Sequence, residues 1–230
     1  MSCLAIIPAR SNSKGIRDKN IRNFCGKPLL CWTVDAAVNS ASVDAVTVST
    51  DSLEYWNIAD TCAKKPLISS KDGRLRDPEL SHDHTAAWEV IQAEVKKFPE
   101  FTEFIYLQPT SPLRTYKHID ELIELARLKQ SRSMVSVCEV AQNPMWMYTV
   151  NENSQLVKYT ESRASDTSRQ VLQHYFMPNG AMYWFKKEFA EKETKIITTE
   201  THSFLMDRIS SIDIDDEYDW KIAITFMMGK

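Results

Sequence analysis

Short apolar runs alternate with helix-like segments along this chain, and that alternation limits the folds it can adopt. Apolar runs typical of buried strands occupy residues 4–7, 45–50, 103–108 and 133–138. Segments with helical periodicity occupy residues 28–37, 53–63, 85–97 and 118–129. Strands separated by helices favour a mostly parallel sheet with helices on both faces. The chain is therefore predicted to fold as an α/β domain.

The alternation is interrupted between residues 139 and 176. This region is polar, with a predicted hairpin near 147–158 and a charged stretch at 160–170. Strands are expected again at 181–185, 203–206 and 210–214, before a closing helix over 217–228. Because 230 residues suit one domain, we predict a single domain over 1–230, with 139–176 as a lobe or dimerisation arm.

The loop after the first apolar run has the composition of a phosphate-binding loop. It carries four cations, Arg10, Lys14, Arg17 and Lys19, around Gly15. Glycine permits close approach of the backbone, and cationic side chains neutralise phosphate charge. The pattern is neither a Walker A loop nor GxGxxG, so it predicts direct clamping of a triphosphate by side chains. The alternative is a solvated surface loop whose cations serve solubility.

Two aspartates near the end of the chain, Asp213 and Asp215, are candidate metal ligands. They alternate with isoleucines, so in a strand over 210–214 that continues far enough both carboxylates share one face. A buried carboxylate pair repels unless a cation lies between the two groups, and oxygen ligands suit Mg²⁺. The acidic residues that follow are interpreted as the start of the final helix. A phosphate loop with paired carboxylates indicates a metal-assisted nucleotide enzyme.

Polar residues also follow two other predicted strands. Thr50 and Asp51 end the second strand, and Gln108 begins the rigid segment QPTSPLR after the third. Ligands of parallel α/β sheets bind at the carboxyl ends of the strands. We therefore expect Gln108 to face a ligand; a tight turn into the next helix is the alternative interpretation of the segment.

Charge and cysteine content narrow the class of protein further. The net charge is −3 and the pI is near 6.0, which disfavours general nucleic-acid binding and electrostatic attachment to a membrane. Neither a secretory signal nor a membrane-spanning run is recognised. The five cysteines are odd in number and include no CxxC pair. These features predict reduced thiols, no disulfide framework or zinc site, and a cytoplasmic location.

Several segments together resemble the acylneuraminate cytidylyltransferases, the CMP-sialic acid synthetases, in their bacterial nonulosonic acid type. They are IPARSNSKGIRDKN, LQPTSPLR, PNGAMYW and SIDIDDEYD, and their order and spacing match from about residue 4 to 220. The resemblance implies a Rossmann-like, three-layer fold of the nucleotide-sugar transferase type. It implies transfer of CMP from CTP to the C2 hydroxyl of a nine-carbon 2-keto sugar acid, with Mg²⁺ and release of diphosphate. It also implies a homodimer in which the 139–176 region is swapped onto the partner.

The resemblance assigns roles to individual residues. The implied CTP-binding residues are Arg10, Ser13, Lys14, Asn20 and Arg76. The implied sugar-binding residues are Gln108, Arg169 and Tyr183. Arg10, Lys19, Asp213 and Asp215 are implied to be catalytic, and the two aspartates to hold Mg²⁺.

Two positions depart from the family pattern for N-acetylneuraminate. A basic residue often precedes PNG in that group, whereas this chain has Met177, and a second basic position is occupied by Trp146. Both changes make the predicted sugar pocket less cationic and bulkier, which favours a legionaminic or pseudaminic acid. The alternatives are a KDO or other nucleotide-sugar nucleotidyltransferase and a non-catalytic nucleotide-binding module. Lys19 and Asn20 disfavour the KDO enzyme, and the intact aspartate pair disfavours the module.

Overall fold

A computed structural model describes residues 1–11, 15–69, 75–82, 85–159 and 173–229 of the chain. The strands are β1 (Cys3–Pro8), β2 (Asn23–Phe24), β3 (Lys27–Pro28), β4 (Ala45–Ser49), β5 (Glu103–Leu107), β6 (Ser133–Glu139), β7 (Tyr148–Val150), β8 (Leu156–Lys158), β9 (Phe176–Lys186) and β10 (His202–Leu205). The helices are α1 (Leu29–Asn39), α2 (Leu53–Cys62), α3 (Ala87–Lys97), α4 (Tyr116–Leu128), α5 (Lys187–Lys192) and α6 (Glu217–Met228). Short 3₁₀ helices occupy Pro78–Ser81 and Pro144–Trp146. None of the helices in the described part of the chain is long and apolar enough to cross a membrane.

Six strands form the central sheet, in the order β10-β6-β9-β5-β1-β4. β1 pairs in parallel with β4 and β5, and β10 pairs in parallel with β6. β9 runs antiparallel between β5 and β6 and so joins two parallel blocks. The predicted mostly parallel sheet is confirmed, with β9 as its antiparallel strand.

Helices cover both faces of the sheet. Along β1, Cys3, Ala5 and Ile7 join the core that contains residues of α1, α2 and α4, whereas the residues between them pack with α3 and α5. Because β1 is buried on both faces, its sequence is continuously apolar. A smaller core holds α6 against the loop before α1, where the rings of Phe24 and Trp220 have centroids 5.3 Å apart.

The hairpin predicted near residues 147–158 is present. β7 and β8 pair antiparallel, with Tyr148 opposite Lys158. Every residue of these two short strands is exposed. The charged stretch predicted at 160–170 lies outside the described residues.

One local prediction about the later part of the chain is wrong. Residues 210–214 form no strand: a turn ends at residue 211, and an extended segment follows in which Ile214 donates to the carbonyl of Thr110 at 2.9 Å. Asn179 and Gly180 lie within β9, where its pairing with β6 shifts register, and the positive φ of Gly180, +76°, accommodates that irregularity.

The prediction of reduced thiols is wrong for Cys31 and Cys62, which form a disulfide. α1 and α2 pack against each other and bring the Cα atoms of the two cysteines to 5.7 Å, within the range that a disulfide spans. The partners are 31 residues apart in the sequence, and nothing in their spacing distinguishes them from the other cysteines. Cys3, Cys25 and Cys138 are free thiols.

Candidate functional site

The carboxyl ends of β1 and β5 open onto a cavity of about 370 Å³, a volume that suits a small-molecule ligand. Several residues predicted from the sequence lie on its wall: Arg10, Lys19, Asn20, Arg76, Gln108 and Asp215. Of the other predicted residues, Ser13, Lys14 and Arg169 lie outside the described part of the chain. The structure therefore brings together the cationic loop, the end of β5 and the segment before α6.

The loop after β1 is fixed at its start and closed on itself. Ser11 donates from its backbone N–H and its hydroxyl to the two carboxylate oxygens of Asp51, each at 2.7 Å. Asn20 Nδ2 donates to the carbonyl of Arg10 at 3.1 Å. Asp51, at the end of β4, thus anchors the loop, and Arg10 and Asn20 are held as neighbours on the cavity wall.

Lys19 and Gly15 join this loop to the segment before α6. Lys19 Nζ donates to the carbonyl of Ile214 at 2.6 Å and lies 3.9 Å from a carboxylate oxygen of Asp215. Burial lowers the pKa of Lys19, whereas Asp215 and Asp213 act in the opposite direction. A Cβ at Gly15 would overlap the backbone oxygen of Asp215, so only glycine fits this close approach. The close contact of Gly15 with Asp215 therefore brings the Lys19 ammonium next to the carboxylates of Asp213 and Asp215.

Arg76 enters the cavity from the segment before α3 and is held by buried neighbours. It is 5% exposed and donates from Nε to the hydroxyl of Ser49 at 2.9 Å and from Nη2 to the carbonyl of Ser49 at 2.6 Å. The Ser49 hydroxyl in turn donates to Glu94 at 2.7 Å. Burial lowers the pKa of Arg76, and the neighbouring Tyr106 and Glu94 oppose that shift. The guanidinium is thus fixed by contacts that form without a ligand.

Gln108 lies just beyond β5, beside Gly180 of β9. A Cβ at Gly180 would come within 2.6 Å of Gln108 Oε1, so the glycine makes room for the amide. Beneath them Arg114, which is 2% exposed, donates to the carbonyls of Gln108 at 3.1 Å and Ala181 at 2.9 Å, and to the hydroxyl of Thr33 at 2.6 Å. Burial lowers the pKa of Arg114 to about 9. Arg114 therefore ties the end of β5 to β9 directly behind the cavity.

Asp213 is the buried carboxylate of the predicted pair. Burial raises its pKa and Asp215 raises it further, whereas a hydrogen bond with Thr110 and the charge of Lys19 lower it. Its Oδ1 atom is buried and has no hydrogen-bond partner among the described residues. An unpartnered buried carboxylate oxygen is costly, so this atom marks a position where a cation or a proton would be stabilised.

Asp215 differs from Asp213, because its side chain is 83% exposed. The prediction that a strand places both carboxylates on one face is wrong, since the segment over 212–215 is not a strand. The chain turns there into α6: Asp216 accepts hydrogen bonds from the N–H groups of Tyr218 and Asp219, and Asp219 accepts from those of Asp215 and Asp216. The interpretation of the later acidic residues as a helix start is confirmed.

The other described positions predicted to face the sugar acid lie in different parts of the fold, on β9 and in the 3₁₀ helix before β7. The ring of Tyr183 has its centroid 6.3 Å from that of Tyr106, a cavity residue, and burial together with Asp213 raises the pKa of Tyr183. Met177 lies earlier on β9 opposite Cys138 and is 51% exposed, and Trp146 ends a 3₁₀ helix. Within the described part of the chain, the cavity wall includes neither Met177 nor Trp146.

Sequence reasoning missed the roles of Ser49, Glu94, Arg114 and Gly180. One available signal is an acidic residue on the apolar face of a predicted helix, since Glu94 is 4% exposed in α3. Another is the arginine that ends the rigid QPTSPLR segment. No signal marks Ser49, which becomes important only when Arg76 is folded against it.

A family model described as Cytidylyltransferase matches residues 4–218. The N-acylneuraminate cytidylyltransferase of Escherichia coli O18:K1:H7 is 33% identical over 228 residues, which cover 99% of this chain and 52% of that protein. The CMP-N,N'-diacetyllegionaminic acid synthase of Legionella pneumophila is 30% identical over 233 residues, which cover 99% of this chain and 97% of that protein. The chain thus spans about half the length of the N-acylneuraminate cytidylyltransferases that it matches, and almost the whole length of the legionaminic acid enzyme.

Solved structures support the architecture. A CMP:2-keto-3-deoxy-manno-octonic acid synthetase complexed with CTP superposes with a TM-score of 0.70 at 15% identity, over 100% of this chain and 99% of that chain. The 4-diphosphocytidyl-2C-methyl-D-erythritol synthase of Anaerococcus prevotii superposes with a TM-score of 0.64 at 13% identity, over 99% of this chain and 98% of that chain. At these identities the likeness shows the fold alone, and it confirms the predicted α/β class.

Proposed function

We propose that this chain, which belongs to the cytidylyltransferase family, joins CMP from CTP to the C2 hydroxyl of a nine-carbon 2-keto sugar acid and releases diphosphate. The observation that supports this most is the convergence of Arg10, Lys19 and Arg76 on one cavity. Next to it lies Asp213, a buried carboxylate with one oxygen that has no hydrogen-bond partner among the described residues. Cations suit a triphosphate, and the carboxylate suits a metal that accompanies it.

The nucleotide is assigned to the cationic wall. The proposed CTP-binding residues are Arg10, Ser13, Lys14, Asn20 and Arg76. Arg10 and Asn20 are held together by the bond between the Asn20 amide and the Arg10 carbonyl, which fixes the loop next to the cavity. Arg76 is the more buried cation and has both its Nε and its Nη2 held by Ser49, and we assign its Nη1 to the nucleotide.

The sugar acid is assigned to the β5–β9 side of the same cavity. The proposed sugar-binding residues are Gln108, Arg169 and Tyr183. The space left by Gly180 allows the Gln108 amide to lie beside Asp213, where a sugar hydroxyl approaches the nucleotide. We propose a legionaminic or pseudaminic type of acid, since a relative matched over nearly its full length is named for diacetyllegionaminic acid.

Asp213 and Asp215 fit a divalent cation by the chemistry of their donors. The Oδ1 atom of Asp213 is buried without a partner among the described residues, and the Asp215 carboxylate near it is exposed. The described residues hold no group of three or more potential metal ligands, and Mg²⁺ needs fewer, because it retains waters and shares phosphate oxygens. When bound, Mg²⁺ supplies positive charge that polarises the α-phosphate.

The protein's own contribution to the reaction is positioning and charge neutralisation. The anomeric hydroxyl oxygen of the sugar forms a bond to the α-phosphorus, and the bond from that phosphorus to the oxygen shared with the β-phosphorus breaks, so that diphosphate leaves with this oxygen. The hydroxyl proton passes to water. Arg10 and Lys19 neutralise the charge that develops on the leaving diphosphate. Gln108 and Tyr183 orient the sugar for this attack, so no covalent enzyme intermediate is required.

A homodimer is proposed from the hairpin of β7 and β8. A two-stranded hairpin is marginally stable alone, and this one exposes Tyr148, Val150, Leu156 and Val157. Apolar groups exposed together are typical of an interaction surface. A second copy of the chain, exchanging the 139–176 region, is the proposed occupant of that surface.

A cytoplasmic location is proposed because the reaction consumes CTP, a cytoplasmic nucleotide. The Cys31–Cys62 disulfide is unusual for that compartment, where thiols are kept reduced. Among the described residues that form the wall of the cavity there is neither Cys31 nor Cys62.

The experiment that tests the function is diphosphate release by the purified chain with CTP and Mg²⁺. N-acetylneuraminate, di-N-acetyllegionaminate, pseudaminate and KDO are offered in parallel. We expect release with the nine-carbon acids, and the highest kcat/KM with legionaminate or pseudaminate. Release with KDO alone would contradict the sugar assignment. Tight CTP binding without release for any acid would favour the non-catalytic module.

A further inference from the structure

Glu94 is an acidic residue on the buried face of α3, whose other buried side chains are apolar. It is 4% exposed, and α3 buries Ile91 and Val95 around it. A buried carboxylate is retained only when charge and hydrogen bonds compensate for its lost hydration. Glu94 Oε1 accepts bonds from the hydroxyl of Ser49 at 2.7 Å and from Lys97 Nζ at 3.2 Å.

Ser49 connects this carboxylate to the cavity. Its hydroxyl accepts a hydrogen bond from Arg76 Nε at 2.9 Å while donating to Glu94, and its carbonyl accepts from Arg76 Nη2 at 2.6 Å. Ser49 is itself 2% exposed, so water does not compete for these bonds. The result is a continuous path of buried hydrogen bonds, from Glu94 in α3 through Ser49 at the end of β4 to the Arg76 guanidinium on the cavity wall.

The path also balances charge. Removing the Arg76 guanidinium from water disfavours its charged form, and the carboxylate of Glu94 is among the groups that restore it, as the direction of the Arg76 pKa shifts indicates. Arg76 additionally donates from its backbone N–H to the carbonyl of Thr50 at 2.7 Å, so backbone and side chain are anchored to the same strand end. Orientation of the guanidinium is therefore shared between the strand and the helix.

We propose that Glu94 and Ser49 are positioning residues for nucleotide binding: they hold the Arg76 guanidinium oriented toward CTP, although Glu94 is not on the cavity wall. The inference rests on the proposed function, in which Arg76 contacts CTP. It predicts an effect on CTP that is separate from any effect on the sugar acid, because the path ends at Arg76 and does not reach Gln108.

The test compares Glu94→Gln with a matched variant, Glu103→Gln. Glu103 is also buried, at 1% exposure, and also pairs with a cation: it accepts from Arg127 at 3.0 and 2.7 Å, whereas Glu94 accepts from Lys97. It lies at the start of β5, whereas the cavity opens at the end of that strand. The two variants therefore remove equivalent charges from equivalent depths, and only one of them is connected to Arg76.

The measurements are CTP affinity by calorimetry and the steady-state KM values for CTP and for the best sugar acid. For Glu94→Gln we expect CTP affinity to fall about tenfold, the size of one weakened charge-assisted bond, with the sugar KM changed less than about twofold. Ser49→Ala should weaken CTP binding in the same direction. Glu103→Gln should leave both KM values unchanged even if its melting temperature falls.

Distinct results overturn the inference and the proposed function. Unchanged CTP affinity in Glu94→Gln, or equal changes for CTP and sugar, overturns the inference while an active wild type preserves the function. An equal loss of CTP affinity in Glu103→Gln overturns it too. If Glu94→Gln does not fold, Ser49→Ala decides by the same criterion. A wild type that neither binds CTP nor releases diphosphate overturns both.

Discussion

The nucleotide side of the cavity and the carboxylate side are both built on buried ionisable groups, but their polar atoms are satisfied to different degrees. Around Arg76, Ser49 accepts hydrogen bonds at 2.6 and 2.9 Å, and its hydroxyl donates a hydrogen bond to Glu94 at 2.7 Å. On the other side, Asp213 retains a buried oxygen without a partner among the described residues, and Asp215 is largely exposed.

This difference indicates which side is complete before ligands bind. The contacts of Arg76 need no ligand, so the nucleotide side is preorganised and its cation is available at once. Burial desolvates the Asp213 carboxylate, and the hydrogen bond from Thr110 and the charge of Lys19 compensate for this only in part. A bound cation would therefore stabilise the ionised carboxylate. CTP binding should therefore depend little on the carboxylates, whereas turnover should depend on them strongly.

The largest expected effect is that of Asp213→Asn on turnover. Losing one preorganised group at a reacting centre costs about 2.7–4 kcal/mol, so kcat should fall by about a hundredfold or more. CTP affinity measured by calorimetry should stay within about threefold of the wild type. The control is Glu217→Gln, whose carboxylate pairs with Arg22 on the surface and should not affect kcat. A nearly normal kcat in Asp213→Asn would remove this residue from the reaction.

The next effect is that of Gly180→Ala, which crowds Gln108 and Asp213. The new Cβ would lie 2.6 Å from Gln108 Oε1 and 3.2 Å from Asp213 Oδ2, and φ is +76°. We expect the sugar KM to rise about tenfold, since displacement of one ligand-facing amide loses a bond of about 1.4 kcal/mol. CTP affinity should be unaffected.

Gly26→Ala is the matched control for that substitution. Gly26 also has a positive φ, +97°, but a Cβ there meets nothing within 4 Å. Both variants lose stability to backbone strain, of order 1–3 kcal/mol. Only Gly180→Ala should raise the sugar KM, and an equal rise in both would show that strain rather than the contact with Gln108 is responsible.

The smallest expected effect concerns stability and pH. Burial raises the pKa of Asp213 in the folded protein above its ordinary value of 3.8, so the ionised form destabilises the fold at pH above the folded pKa. Below 3.8 the group is protonated in both states and the cost disappears. Without divalent metal, Asp213→Asn should therefore melt higher than the wild type at neutral pH, by roughly 2–4 °C for about 1 kcal/mol.

Melting curves of both proteins recorded from neutral pH down to pH 4 in chelator check this expectation. The difference in melting temperature should shrink as the pH falls, and added Mg²⁺ should raise the wild type more than the variant. A constant difference across the pH range would mean that the charge of Asp213 is not what costs stability.

The main architecture and the position of the cavity could be predicted from the sequence. Continuous apolar runs such as Leu4–Ile7 identify strands buried on both faces, and polar residues after those strands mark the ligand edge. These features are local in the sequence, and Arg10, Lys19 and Gln108 accordingly lie together on the cavity wall.

The remaining features depend on contacts between distant segments, which periodicity does not reveal. Asp213 and Asp215 fit strand alternation, yet the contact of Ile214 with Thr110 and the cap of α6 give that segment another conformation. The Cys31–Cys62 disulfide depends on how α1 packs on α2. Local patterns also do not indicate that β9 enters the sheet antiparallel, because strand direction is set by the whole connection.

One titration distinguishes a preorganised nucleotide side from a carboxylate side that needs a cation. CTP is titrated calorimetrically into the wild type and Asp213→Asn in chelator, and the same samples are then assayed for diphosphate release after addition of Mg²⁺ and sugar acid. Both proteins should bind CTP with similar affinity, and Mg²⁺-dependent diphosphate release should be about a hundredfold or more faster in the wild type than in Asp213→Asn. Loss of CTP binding in Asp213→Asn, or equal release by the wild type in chelator, would contradict this difference between the two sides.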